Sequence, residues 1–597
     1  MSDQDKITYF AETDFRNKKI KFGIKAKDRT RHLYIIGKTG MGKSTMLENM
    51  AVQDIKNGEG MAFIDPHGGT AEKLLDYIPK ERIKDVIYFA PFDAEYPVSF
   101  NVMEDVGVDK RHLVANGLMN AFKKIWVDAW SARMEYILNN VLLALLEYPN
   151  ATILGVNRML ADKDYRNLVV ENVTDSSVKA FWVDEFAKYG DKYMQEAGAA
   201  IQNKIGQFIS NPIIRNIIGQ PKSSFDVRKV MDDRKILIMN LSKGRMGIEN
   251  STLLGNMLVT KIYLGAMSRA DASAAELQKL PNFYFYVDEF QSFANESFAD
   301  ILSEARKYKL SLTIAHQYIN QMPEEVRDAV FGNVGSMVTF RIGPEDAEMF
   351  EKEFIPEFTA EDLVNLGFSQ IYLRLMIDGI GSKPFSATTL PPIALEGESH
   401  KDRIVEETRR IYATPRAEVE AAVNKWYESV APPKPPRERK KEFGNSVAGE
   451  GGTPRSPKII ESRPEIRSSQ PEKTLVETRF SEPPKGRGER IQNIKQNEEN
   501  HRKSAPTFTS QPIPPVSLSQ LKTKQEQNPS KNSFALRNAL AAALKEKGNS
   551  ITESKKETLA DGLKEETKKW EEMKKKDEVP VAPKEIPEDV LNKILGK

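Results

Sequence analysis

The sequence lacks several features that would place it in other classes of protein. It has 597 residues and no cysteine, which excludes disulfide scaffolds, thiolate metal sites and cysteine nucleophiles. Its longest strongly apolar run, residues 141–146, is far shorter than the roughly 20 residues that a membrane-spanning helix needs. The N-terminal stretch MSDQDKITYF lacks the basic and then apolar pattern of a secretion signal. These absences argue against a secreted or membrane-spanning protein.

The chain also has little net charge, since 87 basic and 85 acidic residues leave a formal charge of +2. This charge is unevenly distributed: residues 432–597 carry 34 basic and 25 acidic side chains, a net of +9, which leaves −7 for residues 1–431. The C-terminal stretch holds 18 of the 33 prolines but only five of the 51 aromatic residues. It cannot bury enough apolar surface to offset the entropy of ordering. We therefore predict a disordered, basic, proline-rich tail over residues 431–597.

Two short segments of this tail, near residues 533–547 and 587–595, have the apolar patches of helices that fold on a partner. The basic charge is concentrated in residues 432–550, with 23 basic and 13 acidic side chains. Such a segment could hold DNA or another anionic surface by electrostatic attraction. It could equally be a linker that keeps the chain soluble, and the sequence leaves both roles open.

The rest of the chain alternates short β-rich runs with helical stretches, which predicts an α/β fold. The runs are almost continuously apolar, as in strands that are buried on both faces of a mostly parallel sheet. The predicted strands are residues 33–36, 61–65, 86–89, 236–241, 283–287, 310–315, 337–342 and 371–375.

Strand signals stop between residues 105 and 235, where apolar residues keep helical spacing. We therefore expect an all-helical inserted domain at 105–235. Residues 1–104 and 236–430 would then be the two parts of one α/β domain, the second closing with helices at 403–412 and 416–428.

Residues 37–44, GKTGMGKS, match the P-loop pattern G-x-x-x-x-G-K-[ST] between an apolar strand and a helix. Glycines at these positions allow backbone N–H groups to approach phosphate oxygens, and the helix N-terminus favours an anion. Lys43 is expected to contact the β- and γ-phosphates of ATP and Ser44 to bind Mg²⁺. The expected nucleotide-binding residues of this loop are Gly37, Lys38, Thr39, Gly40, Met41, Gly42, Lys43, Ser44 and Thr45.

Two acids follow the apolar run at 283–287. Because a buried strand cannot hold a charge cheaply in its interior, Asp288 and Glu289 must lie at its exposed end, where open α/β sheets bind ligands. We predict that Asp288 belongs to the Mg²⁺ shell and that Glu289 activates the attacking water.

The next predicted strand ends at Gln317, and the helix before it ends at Arg306. Gln317 could contact the γ-phosphate or the attacking water, or could be an ordinary polar residue at a strand end. Arg306 could complete a neighbouring subunit's site as an arginine finger, or could be a solvated helix end that the helix dipole favours.

In this order the segments resemble the HerA/FtsK superfamily of RecA-like DNA-pumping ATPases. Within it, the chain is most similar to the conjugative coupling proteins of type IV secretion, of the TraG/TraD type. The segments that carry the resemblance are RHLYIIGKTGMGKST, FIDPHGG, VSFNVM, ILIMNLSKG, YFYVDEFQSF, SEARKYKLSLTIAHQ and NVGSMVTFRIGPEDAEMF. Together they cover about residues 29–412.

The resemblance implies a RecA-like P-loop motor domain that is interrupted by an all-helical domain. It gives Lys43, Ser44, Asp288 and Glu289 the roles described above, makes Gln317 a sensor of hydrolysis, and makes Arg306 the arginine that acts on the neighbouring subunit. It further places Arg31 near the nucleotide, suggests Arg341 as a second finger, and marks Asp65 and His67 at the end of a strand.

The resemblance also implies the function: an ATP-hydrolysing translocase that moves single- or double-stranded DNA, or nucleoprotein, through a homo-oligomeric ring, a hexamer in this family. ATP and Mg²⁺ would be its cofactors, and a relaxase and secretion-channel proteins its partners. Family members begin with membrane helices, and this sequence shows none. We therefore expect a cytoplasmic location, or a peripheral one at the inner face of the cell membrane that is reached through partners.

Two other functions stay open at the level of sequence. One is a HerA-like translocase that works with a nuclease in DNA repair. The other is a recruiting scaffold in which ATP binding assembles the ring without processive pumping. The helical insertion and the ARKY…AHQ stretch favour the coupling protein over the repair enzyme.

Overall fold

The computed structural model of the chain describes residues 5–14, 18–126, 130–189 and 198–428. The predicted tail at 431–597, with its segments near 533–547 and 587–595, lies outside the described residues. Within the described ranges no helix is both long and apolar enough to cross a membrane.

Most of the strands belong to one eleven-stranded sheet, while β11 and β12 form a separate hairpin. The strands are β1 (Ile7–Glu12), β2 (Lys21–Lys25), β3 (Leu33–Ile36), β4 (Gly60–Asp65), β5 (Val86–Phe89), β6 (Ile236–Asn240), β7 (Phe283–Val287), β8 (Leu310–His316), β9 (Ser336–Thr339), β10 (Gln370–Arg374), β11 (Met376–Ile377), β12 (Ile380–Gly381) and β13 (Phe385–Thr389).

The strand order in the sheet is β2-β1-β13-β10-β9-β3-β8-β7-β4-β6-β5. The seven strands from β9 to β5 are parallel, whereas β10, β13, β1 and β2 add an antiparallel wing. We call the side of the parallel block at which its strands end the carboxyl edge, and the side at which they begin the amino edge. The predicted α/β fold with a mostly parallel sheet is confirmed.

Both faces of the sheet are covered by apolar cores, which explains the continuous apolar runs. In β3, Leu33 and Ile35 belong to one core and Tyr34 and Ile36 to the other. The helices are α1 (Ala26–Arg29), α2 (Lys43–Lys56), α3 (Gly69–Asp76), α4 (Arg111–Ile125), α5 (Ala132–Glu147), α6 (Gly155–Ala161), α7 (Lys163–Asn172), α8 (Ser176–Ala180), α9 (Ala199–Ser210), α10 (Pro212–Ile218), α11 (Val227–Asp232), α12 (Lys243–Met246), α13 (Ile248–Met267), α14 (Ala274–Lys279), α15 (Glu296–Glu304), α16 (Glu324–Asn333), α17 (Pro344–Phe354), α18 (Ala360–Val364), α19 (Lys401–Tyr412) and α20 (Arg416–Glu428).

Between β5 and β6 the described residues form helices α4 to α11 and contain no strand. These helices share one continuous core with a face of the sheet. Before these helices begin, Phe100 packs against both Phe89 and Phe225, which also contact each other. The next residue, Asn101, is buried, and its amide donates to the carbonyl oxygens of Ala151 and Pro221 at 2.9 and 2.8 Å. Asn101 thus joins three segments of the chain, while the domain limits at 104 and 235 stay a prediction.

The predicted strands all occur, and two differ in detail from the expectation. The run at 337–342 ends as a strand at Thr339, because its last residues turn toward the P-loop. The run at 371–375 was expected to be buried on both faces, but β10 runs antiparallel to β9 and alternates in burial. The wing strands β1, β2 and β13 were not predicted from the sequence.

Candidate nucleotide site

The P-loop connects β3 to α2 at the carboxyl edge of the sheet. Its backbone is anchored on both sides: the N–H of Gly37 donates to the carbonyl oxygen of His316 at 3.3 Å, and that of Lys38 to Arg341 at 2.8 Å. Gly42 has a φ of 116°, in the left-handed region that favours glycine. A side chain on Gly37 would come within 2.5 Å of Phe340. The loop therefore needs both glycines to turn against its neighbours and enter the helix.

Lys43 and Ser44, at the first turn of α2, point into the site. The Lys43 ammonium group donates to the carbonyl oxygens of Gly37 and Lys38 at 2.6 and 3.1 Å, and the residue is only 6% exposed. The Ser44 hydroxyl donates to Oδ2 of Asp288 at 3.0 Å. The first two residues of the helix therefore supply a cation and a hydroxyl beside a carboxylate, at a helix N-terminus that favours anions.

The sheet order explains why Asp288, Glu289 and Gln317 meet the P-loop. They follow β7 and β8, and β8 is the direct neighbour of β3. The side-chain amide of Gln317 donates to the Glu289 carboxylate, while its amide oxygen accepts from the Thr39 hydroxyl at 3.0 Å. Glu289 itself has a φ of 49°, a strained value for a residue with a side chain. A continuous chain of hydrogen bonds thus joins Thr39 of the P-loop to Gln317 and Glu289.

The site concentrates acids in a buried place. Burial, with the nearby charges of Asp65 and Glu289, raises the pKa of Asp288 to about 6. Burial also lowers the pKa of Lys43, and the negative charges of Glu289 and Asp288 oppose this shift. The repulsion between these carboxylates is relieved when a cation lies among them.

Asp65 and His67, at the end of β4, have different situations. Both carboxylate oxygens of Asp65 are used locally, since they accept from the backbone N–H groups of His67 and Ala71 at 2.8 and 2.9 Å. Asp65 therefore shapes the start of α3. His67 is exposed, with its Nε2 atom 3.8 Å from a carboxylate oxygen of Glu289.

Two further residues at this edge were not singled out from the sequence. Lys243, after β6, donates to the Ser292 hydroxyl at 2.8 Å, and burial lowers its pKa, opposed by the charges of Glu289 and Asp65. His316 is fully buried beneath the P-loop, with Nδ1 3.2 Å from the Tyr34 hydroxyl. The motif segments ILIMNLSKG and AHQ contain both residues, but no spacing rule marks them.

Arg31 and Arg306 do not join this cluster within one chain. Both precede a parallel strand, so they lie at the amino edge, and β3 alone separates Arg31 from the P-loop by about 13 Å. Arg306 is exposed in the short helical turn Ala305–Tyr308. Neither guanidinium group makes a hydrogen bond or an ion pair with the part of the chain that the structure describes. Arg341, by contrast, lies at the carboxyl edge, where its carbonyl oxygen accepts from Lys38.

The donor atoms fit a magnesium ion only as part of a shell. No cluster of three or more histidine, aspartate or glutamate residues able to hold a metal occurs within the described ranges. The Ser44 hydroxyl and the Asp288 carboxylate do lie 3.0 Å apart. Oxygen donors of this kind suit Mg²⁺, which binds proteins through one or two such groups together with substrate phosphates and water.

Comparison with known proteins identifies the family. Residues 20–355 match the family model described as the type IV secretion-system coupling protein DNA-binding domain. This chain belongs to that family. No curated protein sequence gives a significant match. The resemblance to coupling proteins that the motif segments carry is confirmed.

Several solved structures are similar in fold to this coupling-family chain. The bacterial conjugative coupling protein TrwBdeltaN70, in an unbound form, is 13% identical over 66% of this chain and 95% of that chain, with a TM-score of 0.47. The plasmid coupling protein TrwB in complex with ADP and Mg²⁺ is 13% identical over 63% and 89%, with a TM-score of 0.47. VirB4 of Thermoanaerobacter pseudethanolicus is 13% identical over 65% and 97%, with a TM-score of 0.44.

Proposed function

We propose that this chain is an ATP-hydrolysing DNA translocase that serves type IV secretion or conjugative transfer as a ring of identical subunits. The observation that carries the proposal is the hydrogen-bonded chain from Thr39 through Gln317 to Glu289, which lies beside the Ser44–Asp288 pair. A P-loop with a connected carboxylate and amide is what hydrolysis of a terminal phosphate requires. Membership of the coupling-protein family supports DNA as the substrate that is moved.

The side chains divide the chemistry among them. Lys43 would exchange its bonds to the loop carbonyls for bonds to the β- and γ-phosphates. Ser44 and Asp288 would hold Mg²⁺, which when bound neutralises charge on the phosphates. Glu289 would orient the attacking water and accept its proton, and Gln317 would hold Glu289 in place while reporting the state of the γ-phosphate through Thr39.

The position of Arg306 supports the proposal of a ring. An exposed arginine at the amino edge cannot reach the phosphates of its own chain, but it can reach those bound at the carboxyl edge of a neighbour in a head-to-tail assembly. Arg31 lies at the same edge and would act in the same way. The proposal further includes a ring of six subunits. Its partners would be a relaxase and secretion-channel proteins, through which the ring would contact the membrane.

The test is ATP hydrolysis by the full chain with and without single- or double-stranded DNA. We expect DNA to stimulate the rate and Lys43→Ala to abolish it. Glu289→Gln should lower the rate about 100-fold while nucleotide binding persists, because it removes the general base and leaves the phosphate contacts intact. The matched control is Glu398→Gln, which removes an exposed carboxylate outside the site. This variant should hydrolyse ATP at the normal rate. If DNA has no effect and the Lys43→Ala protein still hydrolyses ATP, the proposal is wrong.

Movement of DNA separates this function from the scaffold. Stepwise displacement of DNA in a single-molecule assay, by the full chain and by residues 1–431, would exclude a ring that only recruits. Membership of the coupling-protein family favours secretion over a repair role with a nuclease.

A further inference from the structure

One aromatic side chain stands exposed next to the P-loop. Phe368, in the turn between α18 and β10, has 72% of its surface open to solvent. It is the single phenylalanine within the described ranges that is largely exposed.

The turn that carries Phe368 is bonded to the P-loop itself. The backbone N–H of Ser369 donates to the carbonyl oxygen of Met41 at 3.3 Å, and the carbonyl oxygen of Ser369 accepts from the N–H of Thr389 at 2.9 Å. The N–H of Gly367 donates to the side chain of Gln370 at 2.8 Å. Phe368 therefore directly precedes the residue whose backbone is hydrogen-bonded to the P-loop.

The position of the acids gives the direction in which a bound nucleotide must run. Asp288, Glu289 and Gln317 all lie on the β8 and β7 side of β3, so the terminal phosphate points to that side. The base is at the other end of the molecule and must leave the P-loop on the opposite side, toward β9, β10 and β13. The start of β10 and the end of β13 pair at the carboxyl edge there, and Phe368 immediately precedes that pair.

We propose that Phe368 is the stacking platform for the nucleobase, with Met41 of the P-loop as the neighbouring wall. An exposed aromatic ring stacks on the face of a base, and the polarizable thioether of methionine adapts to such a ring. Met41 is half-buried and already packs against the core that contains Phe340. The base subsite thus joins the P-loop to the antiparallel wing of the sheet.

This inference rests on the proposed function, since it assigns the base-binding part of the same site. The test is calorimetric titration of the full chain with the magnesium complexes of ATP and of inorganic tripolyphosphate, which has the phosphates but no base. We expect Phe368→Ala to raise the Kd for ATP about tenfold and to leave the Kd for tripolyphosphate within about twofold. Phe368→Tyr should bind ATP as the unmodified protein does. Ile380→Ala, which removes an exposed apolar side chain from the β11–β12 hairpin, should change neither Kd.

The other outcomes separate the two ideas. Unchanged ATP binding by Phe368→Ala, or an equal loss of ATP and tripolyphosphate, would overturn the base platform and leave the proposed function intact. Failure of the unmodified protein to bind either ligand would overturn the proposed function, and the base subsite with it.

Discussion

The two edges of the same parallel block are built differently. At the carboxyl edge the polar side chains are bonded to one another: Ser44 to Asp288, and Thr39 through Gln317 to Glu289. At the amino edge Arg306 is exposed and makes no side-chain hydrogen bond or ion pair within the described ranges. One edge holds a preorganised site, and the other presents an exposed cation that has no side-chain partner among residues 5–14, 18–126, 130–189 and 198–428.

Beneath the surface of the amino edge lies a buried ion pair. Arg29, 3% exposed, donates to both carboxylate oxygens of Asp54 at 2.7 and 2.9 Å and to the hydroxyl of Tyr286 at 2.8 Å. The Tyr286 hydroxyl in turn donates to Asp54 at 2.6 Å. Asp54 lies near the C-terminal end of α2, the helix that begins at Lys43, and Tyr286 lies two residues before Asp288. The cluster therefore fixes α2 against β7 from the edge opposite the site.

The difference between the edges suits a head-to-tail ring. In such an assembly the contact joins two unlike surfaces, so the amino edge of one subunit can face the carboxyl edge of the next. The edge with the connected acids would receive a nucleotide, and the exposed Arg306 at the other edge would complete the neighbour's nucleotide site.

Among the tests of this comparison, removal of the Arg306 side chain should have the largest effect. We expect Arg306→Ala to lower the rate of ATP hydrolysis by about 1,000-fold, as for other arginine fingers, without loss of nucleotide binding. Lys307→Ala is the matched control, because Lys307 is also exposed and pairs with Glu304 in its own chain. Hydrolysis by that variant should stay near normal.

Mixing decides whether Arg306 acts on its neighbour. Rings assembled from equal amounts of Arg306→Ala and Lys43→Ala subunits contain interfaces with an intact P-loop on one side and an intact arginine on the other. Random assembly makes these about a quarter of all interfaces, so hydrolysis should recover well above that of either variant alone. No recovery on mixing would mean that the two edges do not meet in this way.

The carboxyl edge was largely predictable from the sequence because its residues follow a simple physical pattern. A glycine-rich loop after an apolar run and acids at the end of another run must converge where parallel strands end. The strands of the parallel block were predictable for the same reason, since burial on both faces leaves continuous apolar runs. Roles for the individual site residues stay predictions, although the structure brings Lys43, Ser44, Asp288, Glu289 and Gln317 together.

What escaped prediction depends on contacts between distant segments. β1 pairs with β13, which lies more than 350 residues away along the chain, and β2 pairs with β1. Short half-exposed strands of this kind leave weak patterns in the sequence. The Arg29–Asp54–Tyr286 cluster and the place of Phe368 beside Met41 likewise follow from tertiary packing. The sequence around Arg29 carries no pattern that marks it as buried, and its burial follows from the fold.

The next largest effect concerns the buried ion pair. Asp54→Asn leaves the Arg29 guanidinium group without its counter-charge, so we expect a loss of about 3 kcal/mol in the free energy of unfolding. Asp378→Asn is the control, since Asp378 pairs with Lys25 and Lys27 on the surface and such pairs contribute little. Chemical denaturation measures both variants. Equal losses for the two would show that the buried pair does not stabilise the fold more than an exposed one.

The smallest predicted effect compares two buried histidines, one at each edge. Burial, with a contribution from the Arg306 charge, lowers the pKa of His32 to about 4, and burial with the charges of Lys43 and Lys124 lowers that of His316 to about 3. Both stay neutral in the folded state, while in the unfolded chain they gain a proton near pH 6.5. The stability that follows from this is complete above pH 6.5 and is lost as the pH falls toward 4.

For each histidine the loss between pH 7 and pH 5.5 should be about 1 kcal/mol. His32→Asn suits the test, because the backbone of His32 has a φ of 63°, which asparagine tolerates better than most residues. Urea denaturation at the two pH values should show a smaller acid-induced loss for His32→Asn than for the unmodified protein. The exposed His112→Asn should lose as much as the unmodified protein. If His32→Asn behaves like His112→Asn, the amino edge carries no buried neutral histidine, and the two edges do not share this source of acid sensitivity.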